Sequence, residues 1–230
     1  MMSRTRKILV SIAVVLAVAG GALAVVPRLL WSDPADYSRV TSIKESREYQ
    51  DAALLAQAWA LPVAATYHAS LNFQHNGSFC GPTSVVNVMR SLNLGGDQST
   101  VLEGTGVSTV LGALPGGITL DQLADIAQKK LGRKVTVLRN LDLAAFRDHL
   151  RHANDPSRRY VINFSRGPLF ATGGGHHSPL AGYLAEDDLA FVLDVNQKYG
   201  PWLVKPERLY EAMQAVDKST GKHRGLLLIE

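Results

Sequence analysis

One cysteine, two adjacent histidines and a later aspartate are the side chains of this 230-residue chain whose types and order could run acyl transfer. The cysteine, Cys80, is the only one in the sequence and lies in the stretch QHNGSFCGPTS. It cannot form an intrachain disulfide, so a retained thiol points to chemistry or to packing. Pro82 suits the first position of a helix, so Cys80 lies just before that helix, against the positive end of its dipole. That environment lowers a thiol pKa and makes the nucleophilic form available. A thiolate also needs a proton carrier and a group to orient it. His176 or His177 can be the carrier, and Asp194 the orienter. Gln74, six residues before Cys80, could join the Cys80 backbone N–H in stabilising an oxyanion.

Which histidine serves depends on strand register. HSPLAGYLA (177–185) and LAFVLDV (189–195) read as a hairpin around Glu186-Asp187-Asp188. With that loop Ala185 faces Leu189 and Asp194 faces Leu180, on the same face as Ser178 and His176. A loop one residue longer or shorter gives that face to His177. Spacing leaves both open.

The elements that must position these residues follow from periodicity. A helix is expected over 46–60, ending before Pro62, and another over 82–92, with Val85, Val88, Met89 and Leu92 on one face. Thr119 and Gln122 make a capping box for a helix that ends at Gly132. A short strand, KVTVL, and a helix within 142–152 come next, then a strand RYVINF (159–164). After the hairpin, Pro206 opens a helix to about Ala215, and the turn KSTGKHRG leads to the strand LLLIE. Helices first and antiparallel strands later predict an α+β fold. His149 and His152 read as solvated surface, and Trp202 and Tyr199 as packing.

The formal charge of +4 arises in the leader. Four of the 24 basic residues (Arg4, Arg6, Lys7, Arg28) precede residue 31, leaving 20 against 20 acidic ones. No basic stripe suggests a nucleic-acid partner. Residues 8–26 are 19 uncharged residues behind three positive charges, about 28 Å as a helix. Residues 1–31 are expected to be a signal peptide or an N-terminal membrane anchor, with export to the periplasmic side. If uncleaved, residues 8–26 would tether the chain to the inner membrane. Residues 32–44 read as a linker and 45–230 as the catalytic domain.

The stretches SFCGPTSVVNVMRSLNL, FSRGPLFATGGGHHSPLAGYLAEDDLAFVLDV and YEAMQAVDKSTGKHRGLLLIE resemble the catalytic domain of phytochelatin synthases, in their short prokaryotic form. The resemblance implies a papain-like fold, with helices carrying the cysteine and an antiparallel sheet carrying His and Asp, and a Cys-His-Asp triad that acts on glutathione. The family's Gly-His-x-Ser-Pro pattern, with a variable and often aromatic x, aligns His176 with the catalytic histidine and puts His177 in the variable slot. The same alignment assigns Asp194 as the third member and Gln74 as the oxyanion glutamine. It also assigns Arg224 to the substrate α-carboxylate and Asp217 to its α-amine, with Gly175 in the same substrate site. Three residues after the aspartate the family has Arg where this chain has Gln197, which implies an altered second-substrate site.

The implied reaction needs no cofactor and no protein-bound metal. Cadmium or zinc would enter as glutathione thiolate complexes, in a role in metal detoxification or glutathione turnover. A homodimer stays open. Two other readings compete: a bacteriocin-leader-type cysteine peptidase, and a non-catalytic, membrane-tethered thiol and metal binder using Cys80, His75, His176 and His177.

Overall fold

In the strands of this chain, successive side chains point into two different apolar cores. The computed structural model describes residues 37–68 and 71–230. Contacts divide the chain at Ser32, and the second unit, Asp33–Glu230, contains every described residue. The expected leader lies outside the described residues, as does residue 32–36 of the expected linker. Among the described residues no helix is long and apolar enough to cross a membrane.

The sheet is antiparallel throughout, in the order β1-β8-β2-β3-β4-β5. Its strands are β1 (Val135–Leu138), β2 (Arg159–Ser165), β3 (Gly175–Leu184), β4 (Leu189–Leu193), β5 (Pro201–Val204) and β8 (Gly225–Ile229). A two-stranded ribbon, β6 (Val216–Asp217) with β7 (Lys222–His223), stands apart. Val161, Ala181, Phe191, Leu193, Leu203 and Leu227 join one core. Their strand neighbours Ile162, Leu180, Val192, Trp202 and Leu226 join the other. This period-2 alternation is what a sheet covered on both faces requires.

Helices α1 (Ala52–Trp59), α2 (Pro62–His68), α3 (Cys80–Ser91) and α4 (Leu120–Leu131) supply Ala58, Val63, Val85, Val88 and Leu123 to the first core. Helices α5 (Leu143–His152), α6 (Gly167–Phe170) and α7 (Pro206–Gln214) supply Phe146, Leu150, Leu169, Leu209 and Met213 to the second. The expected α+β, papain-like division holds: an N-terminal helical part carries the cysteine and a later antiparallel sheet carries the histidines and aspartate.

Local rules place several boundaries. Thr119 and Gln122 form the reciprocal capping box, and Gly132 ends α4 in the left-handed conformation at φ 60°. Two expectations change. The helix expected over 46–60 is shorter, α1 alone at Ala52–Trp59, because Asp51 accepts hydrogen bonds from the Ala53 and Leu54 N–H groups and starts it there. Pro62 opens α2 rather than merely following a helix, since the first turn needs no N–H from it. The domain also reaches into the stretch read as linker: Ile43 is buried in the second core, and Arg208 donates to the Thr41 carbonyl.

Candidate active site

Cys80 is the first residue of α3, a twelve-residue helix. The loop before it is tied down at several points. Asn76 Oδ1 accepts from both the N–H and the hydroxyl of Ser78, whose Oγ accepts from the Leu114 N–H. Gln98 accepts from Thr83 and donates to the Phe73 carbonyl. The Gln74 N–H donates to the Val195 carbonyl at 2.7 Å, which docks the loop against the residue that follows Asp194. Gln74 Nε2 donates to the Asn76 carbonyl at 2.8 Å, while its Oε1 is buried without a partner among the described residues. The chain thus brings Gln74, Cys80 and the end of β4 to one region.

The β3–β4 register resolves the parity left open by spacing. Leu184 pairs with Leu189, so the loop is four residues, one longer than expected. That alone would give the Asp194 face to His177. A bulge between Leu180 and Gly182 then shifts the pairing by one, so that Leu180 faces Val192. Continued two residues, this register sets Ser178 opposite Asp194, on the face of His176. His176 Nε2 and Asp194 Oδ1 are 2.9 Å apart. His177, on the other face, turns toward α3, and its Nδ1 lies 3.8 Å from Cys80 Sγ. Both histidines are buried.

Asp194 is wholly buried and heavily bonded. Arg166 Nη2 donates to its Oδ1 at 2.8 Å, the Asn196 N–H to Oδ1 at 2.9 Å, and Trp202 Nε1 to Oδ2 at 3.2 Å. The Arg166 guanidinium lies 3.8 Å from the Tyr199 ring centroid. Sequence reading missed Arg166 and treated Trp202 and Tyr199 as packing. The available signal was the buried carboxylate itself, which must be paired and hydrogen-bonded.

The charges of this group are mutually dependent. Burial would raise the Cys80 thiol, but the charge and hydrogen bonding of His176, with those of His177, hold it well below its ordinary value. Burial and the Arg166 charge press His176 down; Asp194 and Cys80 outweigh them and raise it. Burial would raise Asp194, yet His176 and then Arg166 hold it far below the usual carboxylate range. A thiolate–imidazolium pair backed by a carboxylate is the state these shifts favour.

The second predicted cluster also assembles. Arg224 Nη1 and Asp217 Oδ2 are 3.7 Å apart. A Cβ on Gly175, the residue before His176, would collide with the Arg224 guanidinium, so the absent side chain is what admits it. Asn163 connects the two clusters: it pairs with His177 across β2–β3, donates to the His176 carbonyl at 3.0 Å and accepts from Arg224 at 3.4 Å. Burial would raise Asp217, but the Ser219 hydrogen bonds and the Arg224 charge keep its carboxyl low. Among the described residues, no group of three or more His, Cys, Asp or Glu side chains is arranged to hold a metal ion.

The sequence model described as "Phytochelatin synthase" matches residues 42–226. Glutathione gamma-glutamylcysteinyltransferase 1 of Arabidopsis thaliana is 49% identical over 70 residues, 30% of this chain and 14% of that protein. The Schizosaccharomyces pombe glutathione gamma-glutamylcysteinyltransferase is 32% identical over 117 residues, 50% of this chain and 28% of that one. The chain therefore matches well under a third of the length of these relatives. Among solved structures, the peptidase domain of Streptococcus ComA aligns over 69% of this chain and 94% of its own, at 16% identity and a TM-score of 0.48. The peptidase C39-like domain of a Vibrio parahaemolyticus toxin secretion ATP-binding protein aligns over 65% and 94%, at 16% identity and a TM-score of 0.39.

Proposed function

The chain belongs to the phytochelatin synthase family, and from that premise we propose that it is a thiol acyltransferase that cleaves the Cys–Gly bond of glutathione. The observation that carries the reading is the placement of Cys80, at the start of α3, beside the histidine pair that opens β3, of which His176 meets the buried Asp194 at 2.9 Å. The Cys80 thiolate adds to the Cys–Gly carbonyl carbon. Gln74 and the Cys80 backbone N–H receive the oxyanion. As the C–N bond breaks, His176 gives its proton to the departing glycine nitrogen, leaving a γ-glutamylcysteinyl thioester on Cys80. His176, now neutral, takes a proton from the second nucleophile as it adds to the thioester, and Cys80 leaves as the thiolate. Water as that nucleophile yields γ-glutamylcysteine; the amine of a second glutathione yields a phytochelatin.

Arg224 fits the α-carboxylate of the γ-glutamyl head, since a guanidinium can grip a carboxylate in two places, and Asp217 fits its ammonium. Cadmium or zinc takes part in this reading as a thiolate complex of the acceptor substrate. The reaction would run on the far side of the membrane if residues 1–31 direct export.

The test is incubation of the purified full chain with glutathione, with and without cadmium, following glycine release and product masses beside a Cys80→Ala control. Glycine release that depends on Cys80, with a γ-glutamylcysteinyl adduct on the protein, supports the proposal. No glycine release in either condition overturns it. Release with γ-glutamylcysteine as the sole product supports acyl-enzyme formation and removes the transpeptidase branch.

A further inference from the structure

His177 is only 3% exposed, and its two ring nitrogens have different surroundings. Nδ1 lies 3.8 Å from Cys80 Sγ; Nε2 is buried and has no hydrogen-bond partner among the described residues. The contrast with His176 is informative, because there Nε2 is taken by Asp194 and the ring packs against Phe164. A neutral imidazole carries one N–H. When that proton is on Nδ1 and directed at the sulfur, Nε2 is left as a bare lone pair facing no donor. A buried polar atom without a protein partner calls for one from water, an ion or a ligand, and beside a nucleophilic thiol a substrate group can supply it.

The neighbours say which part of a ligand. Cys80 is on one side of His177, at the position of the scissile carbonyl. On the other side is the Arg224–Asp217 pair, linked to His177 through its cross-strand partner Asn163. Resting on the proposed reaction, we propose that His177 is a specificity-determining residue of the acyl-donor site: Nδ1–H donates to the Cys80 sulfur, and Nε2 accepts the N–H of the substrate amide that joins the γ-glutamyl arm to the cysteinyl residue. This nitrogen is attached to the carbon bearing the scissile carbonyl, so it lies between the atom attacked by Cys80 and the head group held by Arg224 and Asp217. The site therefore selects acyl donors with an unsubstituted amide N–H at that position. His176 remains the proton carrier. The titratable and charged groups around the thiol are His176, with Asp194 and Arg166 behind it, and His177, with Asp217 and Arg224 behind it.

Two measurements on the full chain test the two nitrogens separately. The pH midpoint of Cys80 alkylation by iodoacetamide reads the Nδ1 contact without any substrate. His177→Phe is expected to raise it by about one unit, and His177→Asn, whose amide nitrogen can stand in for Nδ1, to restore it. Dissociation constants of glutathione and of its analogue methylated at the γ-glutamyl amide nitrogen read the Nε2 contact, in Cys80→Ser chains that cannot turn over. The methyl group is expected to cost about tenfold in affinity when His177 is present, and to cost nothing further in the His177→Phe or His177→Asn backgrounds. An unchanged alkylation midpoint in His177→Phe overturns the sulfur contact. Equal methyl penalties in all three backgrounds overturn the substrate contact. If glutathione does not bind at all, the proposed reaction and the substrate contact fall together, and the alkylation midpoint still decides the other half.

Discussion

Replacing Arg166 by Met removes the cation behind Asp194 while keeping an unbranched side chain of useful length, and the consequences differ for stability and for pH. Arg166 and Asp194 are 7% and 0% exposed in their side chains and meet at 2.8 Å. Breaking a buried pair by removing one partner costs about 3–5 kcal/mol in general. Asp194 keeps His176, the Asn196 N–H and Trp202, which moves the loss toward the low end. The lost stacking on Tyr199 adds up to about 1 kcal/mol. A net loss of about 3 kcal/mol lowers Tm by about 6–12 °C for a domain of this size. The pH effect has a definite sign. The Arg166 charge is one of the causes holding His176 down, so its removal raises His176 and extends the alkaline limit of the thiolate–imidazolium pair. Asp194 has a depressed folded value, so its pairing stabilises the fold above the ordinary carboxylate range and is lost as pH falls through that folded value. The Tm difference between wild type and variant should accordingly shrink in acid. Calorimetric melting across pH, with the pH profile of turnover, measures both. An unchanged Tm, or an alkaline limit that moves down, refutes the reasoning.

Gln74→Ala should lower kcat for glycine release by about 10²–10³-fold with little change in KM, because an oxyanion donor acts in the transition state; a change confined to KM would remove Gln74 from that role. Gly175→Ala puts a methyl group into the Arg224 guanidinium, the movable end of a long side chain, so the fold should survive while KM for glutathione rises about tenfold. The same variant should leave the Cys80 alkylation midpoint unchanged, and a shifted midpoint would show that Gly175 acts on the thiol instead. Thr119→Ala breaks the capping box of α4 and should cost about 1 kcal/mol, or 2–4 °C in Tm, with turnover intact; a melting curve that overlays wild type would dismiss the cap.

The parts legible in the sequence are those set by near neighbours. Thr119 and Gln122, Gly132, Pro206 and the apolar face of Val85 and Val88 act within a turn or two of helix, and the helices appear where these residues put them. The order of Gln74, Cys80, His176 and Asp194 was also readable, because each chemical role restricts residue type. What escaped was set by distant packing. Strand β5 has four residues between Gly200 and Lys205, too few for an alternation signal, and exists because Ala190–Leu193 offers it a ladder. Arg166 gave no local sign of its role. Its guanidinium is fixed by Asp194, 28 residues away, and by Tyr199, neither visible to a periodicity argument.

The histidine pair shows why register needed the folded chain. A parity argument must know both the loop length and every bulge, and here two one-residue changes cancel: a four-residue loop and the Leu180/Gly182 bulge. Consecutive strand residues point to opposite faces, so His176 and His177 could not both serve a thiol placed over the middle of either face. In the proposed mechanism both face Cys80 because they are the second and third residues of β3, at the end of the strand. A nucleophile met there from both faces has to come from an element that ends beside the sheet rather than one that lies along it. The first residue of a helix satisfies that condition, and the same position provides the dipole that favours the thiolate.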